Sequence, residues 1–261
     1  MSVETAVILA AGIGSRLKGR TRNRPKGFLI LNGMSLIERS CRQLAVAGIR
    51  RILIGTGYLD SAYREFAASF SQARVECVRS DRYTTTGSMY TLYNLRNMIA
   101  EPFLLLESDL LYESRALQLL LTAPAPDLIL ASGFTGSGDE VFIQMDSRSR
   151  LIALSKSKEN LPRIDAELVG INKLSVHAYD LACAVMEDRL ASYPGLDYEH
   201  GLVEVSRQYP IGVLKDEGLI WCEIDDEFHL ARAEEQILPR LDPADIIDKP
   251  GTSEIANDNR K

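Results

Sequence analysis

The chain is poor in the residues that build metal centres and disulfide frameworks. Its four cysteines (Cys41, Cys77, Cys183, Cys222) and three histidines (His177, His200, His229) are scattered through 261 residues. None stands at a C-x-x-C or Cys/His spacing. The cysteines therefore read as small buried residues of a reduced, cytoplasmic protein, and the histidines as ordinary surface or core residues. No apolar run reaches the roughly 20 residues that cross a bilayer, so no membrane association is expected. No basic segment followed by an apolar one opens the chain, so no signal peptide is expected. Aromatic residues are few, with a single tryptophan. Cations are in the minority, 30 Lys and Arg against 36 acids for a net charge of −6, which excludes a general nucleic-acid binder.

What remains is an ordinary globular composition, 46% hydrophobic and 25% charged, in a chain long enough to bury a full core. The charge is unevenly placed. Residues 1–26 hold Arg16, Lys18, Arg20, Arg22, Arg24 and Lys26 against the single acid Glu4, a net +5, so the rest of the chain carries −11.

Apolar runs at 5–11, 50–57, 73–78, 103–112 and 127–133 read as strands, and 35–48, 58–70, 88–99 and ALQLLLTA as helices between them. Such alternation predicts an α/β fold: a Rossmann-like, mainly parallel sheet with helices on both faces. Beyond 133 the pattern is mixed. A hairpin is expected over 140–156, a strand at 167–175, helices at 176–191 and 199–207, two short strands, and a closing helix over 226–238. The expected organisation is one domain over 1–238, its halves 1–133 and 134–238 binding nucleotide and acceptor, then a loose tail over 239–261.

The first strand leads into A-A-G-I-G-S-R-L. Gly12 and Gly14 let backbone N–H groups approach a phosphate, with Ser15 beside them. Position 17 is Leu, so the dinucleotide pattern GxGxxG fails, and no Walker A sequence follows. A basic segment ending in Pro25-Lys26 follows instead. Arg16 and Lys26 suit a triphosphate, Arg as a fork and Lys as a point charge. Two further strands end in acids, LLLESD at 104–109 and WCEIDD at 221–226. Carboxylates from two strand ends can hold Mg2+. Asp225 or Asp226 can equally cap the helix that follows.

These motifs, with Thr21 and a later G-x-S-L-I-E-R, resemble the nucleotidyltransferase superfamily. Its sugar-phosphate members carry GxGxRLxPLTxxxPK; this chain has Gly19-Arg20 where Pro-Leu is usual. The resemblance implies a nucleotide-diphospho-sugar transferase type of fold. It implies that Arg16 and Lys26 contact the triphosphate and that the backbone of Ala10, Ala11 and Gly12 helps hold the base. It also implies that Asp109 and Asp225 bind Mg2+. S-M-Y-T-L-Y-N-L with LLLESDLLYE following is similar to cytidylyltransferases acting on phosphocholine and on aminoalkylphosphonates, and SGFTGSGDEV and WCEIDD favour the aminoethylphosphonate branch. The implied reaction is transfer of CMP from CTP to 2-aminoethylphosphonate; phosphocholine and sugar 1-phosphates are the alternative acceptors, and a non-catalytic nucleotide-binding protein the remote one.

Further residues suit that chemistry. Thr86, Gly87 and Ser88 can read a pyrimidine edge or simply start a helix. For the acceptor, Ser137 offers groups to phosphonate oxygens and Asp139 to an amine, with Asp197 and Glu199 as further candidates; ordinary turns would also explain these loops. A quaternary ammonium would need an aromatic cage, for which Trp221 and Tyr198 are available. The resemblance places a lysine between acceptor and α-phosphate, and Lys156 is the better match than Lys158. A homodimer is left open.

Overall fold

A computed structural model describes residues 2–245. The first half alternates strand and helix: β1 (Thr5–Ala10), the short hairpin β2 (Ile30–Leu31) and β3 (Met34–Ser35), α1 (Leu36–Val46), β4 (Arg51–Thr56), α2 (Asp60–Ser69), β5 (Arg74–Arg79), α3 (Ser88–Tyr93), β6 (Phe103–Glu107), β7 (Leu110–Tyr112), α4 (Arg115–Thr122) and β8 (Leu128–Ser132). The second half adds β9 (Phe142–Met145), β10 (Leu151–Ser155), β11 (Ala166–Leu174), α5 (Val176–Arg189), α6 (Tyr198–Ser206), β12 (Gly212–Asp216), β13 (Trp221–Glu223) and α7 (Glu227–Arg232).

β1 is buried along its whole length because it runs between β4 and β6, parallel to both. β5 continues the parallel set beyond β4. On the other side β11 inserts antiparallel between β6 and β8, and β12 pairs parallel to β8. The β9–β10 hairpin extends this sheet through the start of β11. The expected mainly parallel sheet is therefore present, with β10 and β11 as its reversed members.

Strand periodicity divides the core between the two faces. Val7, Leu9, Leu53 and Leu105 point to one face, with Met89, Leu92, Tyr179 and Leu202 of α3, α5 and α6. Ala6, Ile8, Ile52, Ile54, Leu104 and Leu106 point to the other, with Ile37, Leu44, Tyr63, Leu117 and Leu120 of α1, α2 and α4. Each Val, Leu, Ile or Met side chain removed from water contributes roughly 1.5–3 kcal/mol. Local signals set the helix starts. Ser35 accepts from the Glu38 N–H and Ser175 from the Ala178 N–H, each satisfying a donor that the first helical turn leaves free.

Four expectations need correction. The run 103–112 is two strands: the chain leaves the main sheet at Ser108-Asp109, and β7 pairs antiparallel with β13 instead. Helix 88–99 is regular only to Tyr93. The closing helix is α7, followed by a π turn over Ala233–Ile237 and a 3-10 turn over Leu238–Arg240. Residues 239–245, expected to be loose, are anchored at two points, since Leu241 and Asp245 are buried while the others are exposed. The Arg39 guanidinium donates to the Asp245 carbonyl at 3.0 Å, and the Ser114 N–H to its carboxylate at 3.1 Å. The remainder of the expected tail, 246–261, lies outside the described residues. No helix among the described residues is long and apolar enough to cross a membrane.

Candidate active site

The loop after β1 is folded by its own motif. Gly14 takes a left-handed φ of 66°, and a Cβ there would lie 3.3 Å from side-chain carbons of both Lys26 and Thr21. Only glycine meets both demands at low cost. The Thr21 hydroxyl donates to the Gly14 carbonyl at 2.8 Å. Between them Ser15–Arg20 forms a 3-10 turn anchored by the buried Leu17. The chain thus doubles back and brings Lys26 beneath the glycine loop.

There Lys26 meets acids from two strands. Its ammonium contacts Asp109 and Asp225 directly and lies 3.8 Å from Glu223. The other Asp225 oxygen accepts from Arg16 at 2.6 Å. The β7–β13 pairing creates this meeting, since Asp109 enters β7 as Asp225 leaves β13 and the Ile224 N–H donates to the Asp109 carbonyl at 3.1 Å. Burial by itself would lower the Lys26 pKa, but Asp109, Glu223 and Asp225 together outweigh it and raise it. Burial likewise opposes ionisation of Asp225, and Lys26 and Arg16 overcome it, holding that carboxyl below its ordinary value. The capping ambiguity also resolves. Asp226 accepts from the His229 N–H at 2.9 Å and caps α7, leaving Asp225 facing the cations.

These groups line a cavity of about 410 Å3 at the C-terminal ends of the parallel strands, where open α/β sheets place their ligands. Ala11, Gly12, Gly14, Ser15, Arg16, Lys26, Thr86, Gly87, Ser88, Asp109, Lys156, Asp197, Glu199 and Asp225 all border it. Ala10 does not; its side chain belongs to the core. Ser137 and Asp139 border a smaller neighbouring cavity instead. Asp139 lies 4.0 Å from Arg16, beside the cation–acid cluster. Lys158 is engaged elsewhere, 4.9 Å from the Phe142 ring centroid, so Lys156 is the lysine that reaches the cavity. Arg20 pairs with Glu227 on the surface at 2.8 Å, tying the loop to α7.

At the α6 side of the cavity, Tyr198 donates to Glu107 at 2.6 Å. Burial, reinforced by Asp109 and Glu199, pushes the Glu107 carboxyl up to about 8. Glu199 is pushed up to about 7, by burial and then by Asp197, while Lys156 acts against the shift. Asp197 accepts from the Ser88 N–H and hydroxyl at 3.3 and 3.2 Å, and the Ser88 hydroxyl accepts from the Tyr198 N–H at 2.9 Å. Ser88 and Asp197 thus join the starts of α3 and α6. Gly87 is required by the same junction, since a Cβ there would sit 2.3 Å from the Leu196 carbonyl oxygen. Trp221 borders the neighbouring cavity and Tyr198 the main one, so the two aromatics considered for a cage face different spaces.

Sequence reasoning missed three residues, Glu107, Glu223 and His229. Glu107 and Glu223 are the last residues of β6 and β13, two residues before Asp109 and Asp225, and an acid closing an apolar strand is the signal that could have found them. Oxygens of Glu107, Asp109 and Glu223 lie within 4.8 Å of one another. Tyr198, considered for an aromatic cage, uses its hydroxyl on Glu107. His229 is buried. Its Nδ1 accepts from the Asp225 N–H at 3.3 Å, so Nε2 bears the proton and lies 3.2 Å from the Ser137 carbonyl, linking the acid to the 135–140 loop.

Residues 6–170 match the family model of the MobA-like NTP transferase domain. The chain is similar to CMP-5'-(3-aminopropyl)phosphonate synthase of Streptomyces rubellomurinus, 24% identical over 93% of this chain and 40% of that one. It is also similar to 2-aminoethylphosphonate cytidylyltransferase of Lancefieldella rimae, 25% identical over 58% of this chain and 60% of that one. The match therefore spans only 40% and 60% of the length of these relatives. Among solved structures, the inositol-1-phosphate CTP transferase of T. maritima superposes with a TM-score of 0.77 over 93% of this chain and 99% of that one, at 16% identity. With its glycine loop, strand-end acids and nucleotide-diphospho-sugar transferase type of sheet, the chain belongs to the MobA-like NTP transferase family.

Proposed function

We propose that this chain transfers CMP from CTP to 2-aminoethylphosphonate or a near homologue, releasing pyrophosphate. The observation that carries the reading is that Lys156 and the buried Glu199 border the same cavity, with the lysine's charge opposing the rise in the Glu199 pKa. A cation beside a carboxyl complements an acceptor with an anionic head and an amine. A primary ammonium also fits carboxylates better than the separated aromatics Trp221 and Tyr198, which is why phosphocholine is the second reading. The names of the two phosphonate-handling relatives support the same acceptor class.

In this reading Arg16, Lys26 and the backbone of Gly12, Gly14 and Ser15 hold the triphosphate. Thr86 and the Ala11–Gly12 backbone face the base. A phosphonate oxygen attacks the α-phosphorus, forming the new P–O bond as the bond to pyrophosphate breaks. That oxygen is already ionised at neutral pH, so no general base is needed. Lys156 lies between the two anions and offsets their repulsion. The acids fit a hard divalent cation such as Mg2+: they are all-oxygen donors, and Asp109 Oδ1 is buried without a hydrogen bond. Asp109 and Asp225 would hold the ion, with Glu223 beside them. When bound it would neutralise charge on the phosphates.

The test is pyrophosphate release with Mg2+ across the four nucleoside triphosphates and a panel of acceptors. The highest kcat/KM is expected for CTP with 2-aminoethylphosphonate. Turnover of a sugar 1-phosphate without turnover of any aminophosphonate would overturn the assignment.

A further inference from the structure

The two cations suited to a triphosphate and the two acids suited to a metal ion are paired with each other. Lys26 contacts both Asp109 and Asp225, and Arg16 holds the second oxygen of Asp225. Among the described residues, Oδ1 of Asp109 is buried without a hydrogen-bond partner, as is Oδ2 of Asp139 beside Arg16. We propose that Lys26 occupies the divalent-cation position of the ligand-free chain, so that the metal ion and the lysine exchange places at Asp109 and Asp225. The inference rests on the nucleotidyltransferase reading of this site.

The reason is electrostatic and steric. A divalent ion binds through carboxylate oxygen lone pairs. Here one oxygen of Asp109 and one of Asp225 already accept from the same ammonium, which is nearly buried, its side chain 12% exposed. A dication cannot reach those oxygens while a charged ammonium is in contact with them, because repulsion at such separations is strong in a poorly solvated site. Phosphate oxygens give Lys26 and Arg16 another anion to bind. Once they take it, Asp109 and Asp225 are released together. Nucleotide and metal therefore bind with positive linkage, each removing an obstacle to the other. The glycine loop positions this exchange, because Gly14 packs on the Lys26 side-chain stem.

Two measurements on the full chain test this, both without nucleotide or acceptor. Calorimetric titration with Mn2+ is expected to give affinity about tenfold tighter for Lys26→Met than for the wild type, since the competing cation is gone. Equal or weaker binding, or no binding to either form, overturns the proposal. Acetylation by acetic anhydride, read by mass spectrometry, follows Lys26 in the wild type and needs no variant to fold. Lys26 is expected to be protected in EDTA and to react at least severalfold faster with Mn2+ bound. Equal protection with Mn2+ bound overturns the exchange. Neither arm contains an acceptor, so failure here is separate from failure of the phosphonate assignment, which the acceptor panel decides.

Discussion

The Tyr198 hydroxyl donates to Glu107 at 2.6 Å, tying the end of a central parallel strand to the first turn of α6. Tyr198 is buried and Glu107 part-buried, and the carboxyl oxygens of Glu107, Asp109 and Glu223 lie within 4.8 Å of one another. Tyr198→Phe keeps the ring and deletes the donor. It leaves a part-buried carboxyl without this partner, at a cost of about 1 kcal/mol. Urea denaturation should show a lower midpoint with an unchanged slope.

Asp109→Asn preserves shape and removes one charge from the cluster around Lys26. In the proposed reaction it removes a metal ligand, so kcat should fall about 100-fold or more. The far-ultraviolet circular dichroism spectrum should be unchanged. Wild-type pyrophosphate release from this variant would remove Asp109 from the mechanism.

Glu199 predicts a pH dependence of stability. Its folded value of about 7 stands above the ordinary 4.5, so the folded chain binds the proton more tightly than the unfolded chain. Stability from this group is present below about pH 4.5 and is lost as pH rises through about 7. The loss is up to about 3 kcal/mol, at about 1.4 kcal/mol for each tenfold change in proton affinity. Glu199→Gln should remove this part of the slope, read from denaturation curves between pH 5 and 8. Glu107, at about 8, leaves a residual slope in the variant.

Gly87→Ala would place a methyl 2.3 Å from the Leu196 carbonyl oxygen and 2.6 Å from that of Gly195. Both obstacles are backbone, so the junction of α3 and α6 must open. Overpacking of this kind costs about 1–3 kcal/mol. The melting temperature should drop and the acceptor KM should rise, because Asp197 and Glu199 stand on the displaced segment.

His229→Leu removes an acceptor from the buried Asp225 N–H and a donor near the Ser137 carbonyl. His229→Asn can restore the acceptor alone. The leucine variant should lose about 1–3 kcal/mol of stability and the asparagine variant less, by denaturant titration. Equal losses would mean that the Asp225 contact contributes nothing.

Much of this was legible beforehand because it is local. The run TAVILA is buried on both faces, as a continuous apolar strand must be in a parallel sheet. The glycine loop, Thr21 and Lys26 lie within 15 residues, and their contacts follow from that spacing. The break at Ser108-Asp109 was not legible. Apolar residues flank it on both sides, and periodicity does not report a change of partner strand. The sequence also could not say which of Asp225 and Asp226 caps α7, since either satisfies the local requirement. Ser137 and Asp139 border the neighbouring cavity, and a Gly- and Ser-rich loop carries no information about which cavity it borders.

The sequence by itself determined the alternation of strand and helix, the glycine turn and the chemical inventory of cations and acids, because each depends on residues near in the chain. Tertiary structure alone decided that Asp109 and Asp225 meet, through the antiparallel pairing of Leu110–Tyr112 with Trp221–Glu223. It also decided that Lys26 stands between them and that Glu107 and Glu199 share a buried wall. These residues are separated by a hundred positions or more of chain, apart from the Lys26–Asp109 pair at 83 and the Glu107–Glu199 pair at 92. Their energies come from burial and from opposite charges brought together, and neither is encoded in the spacing of any one segment.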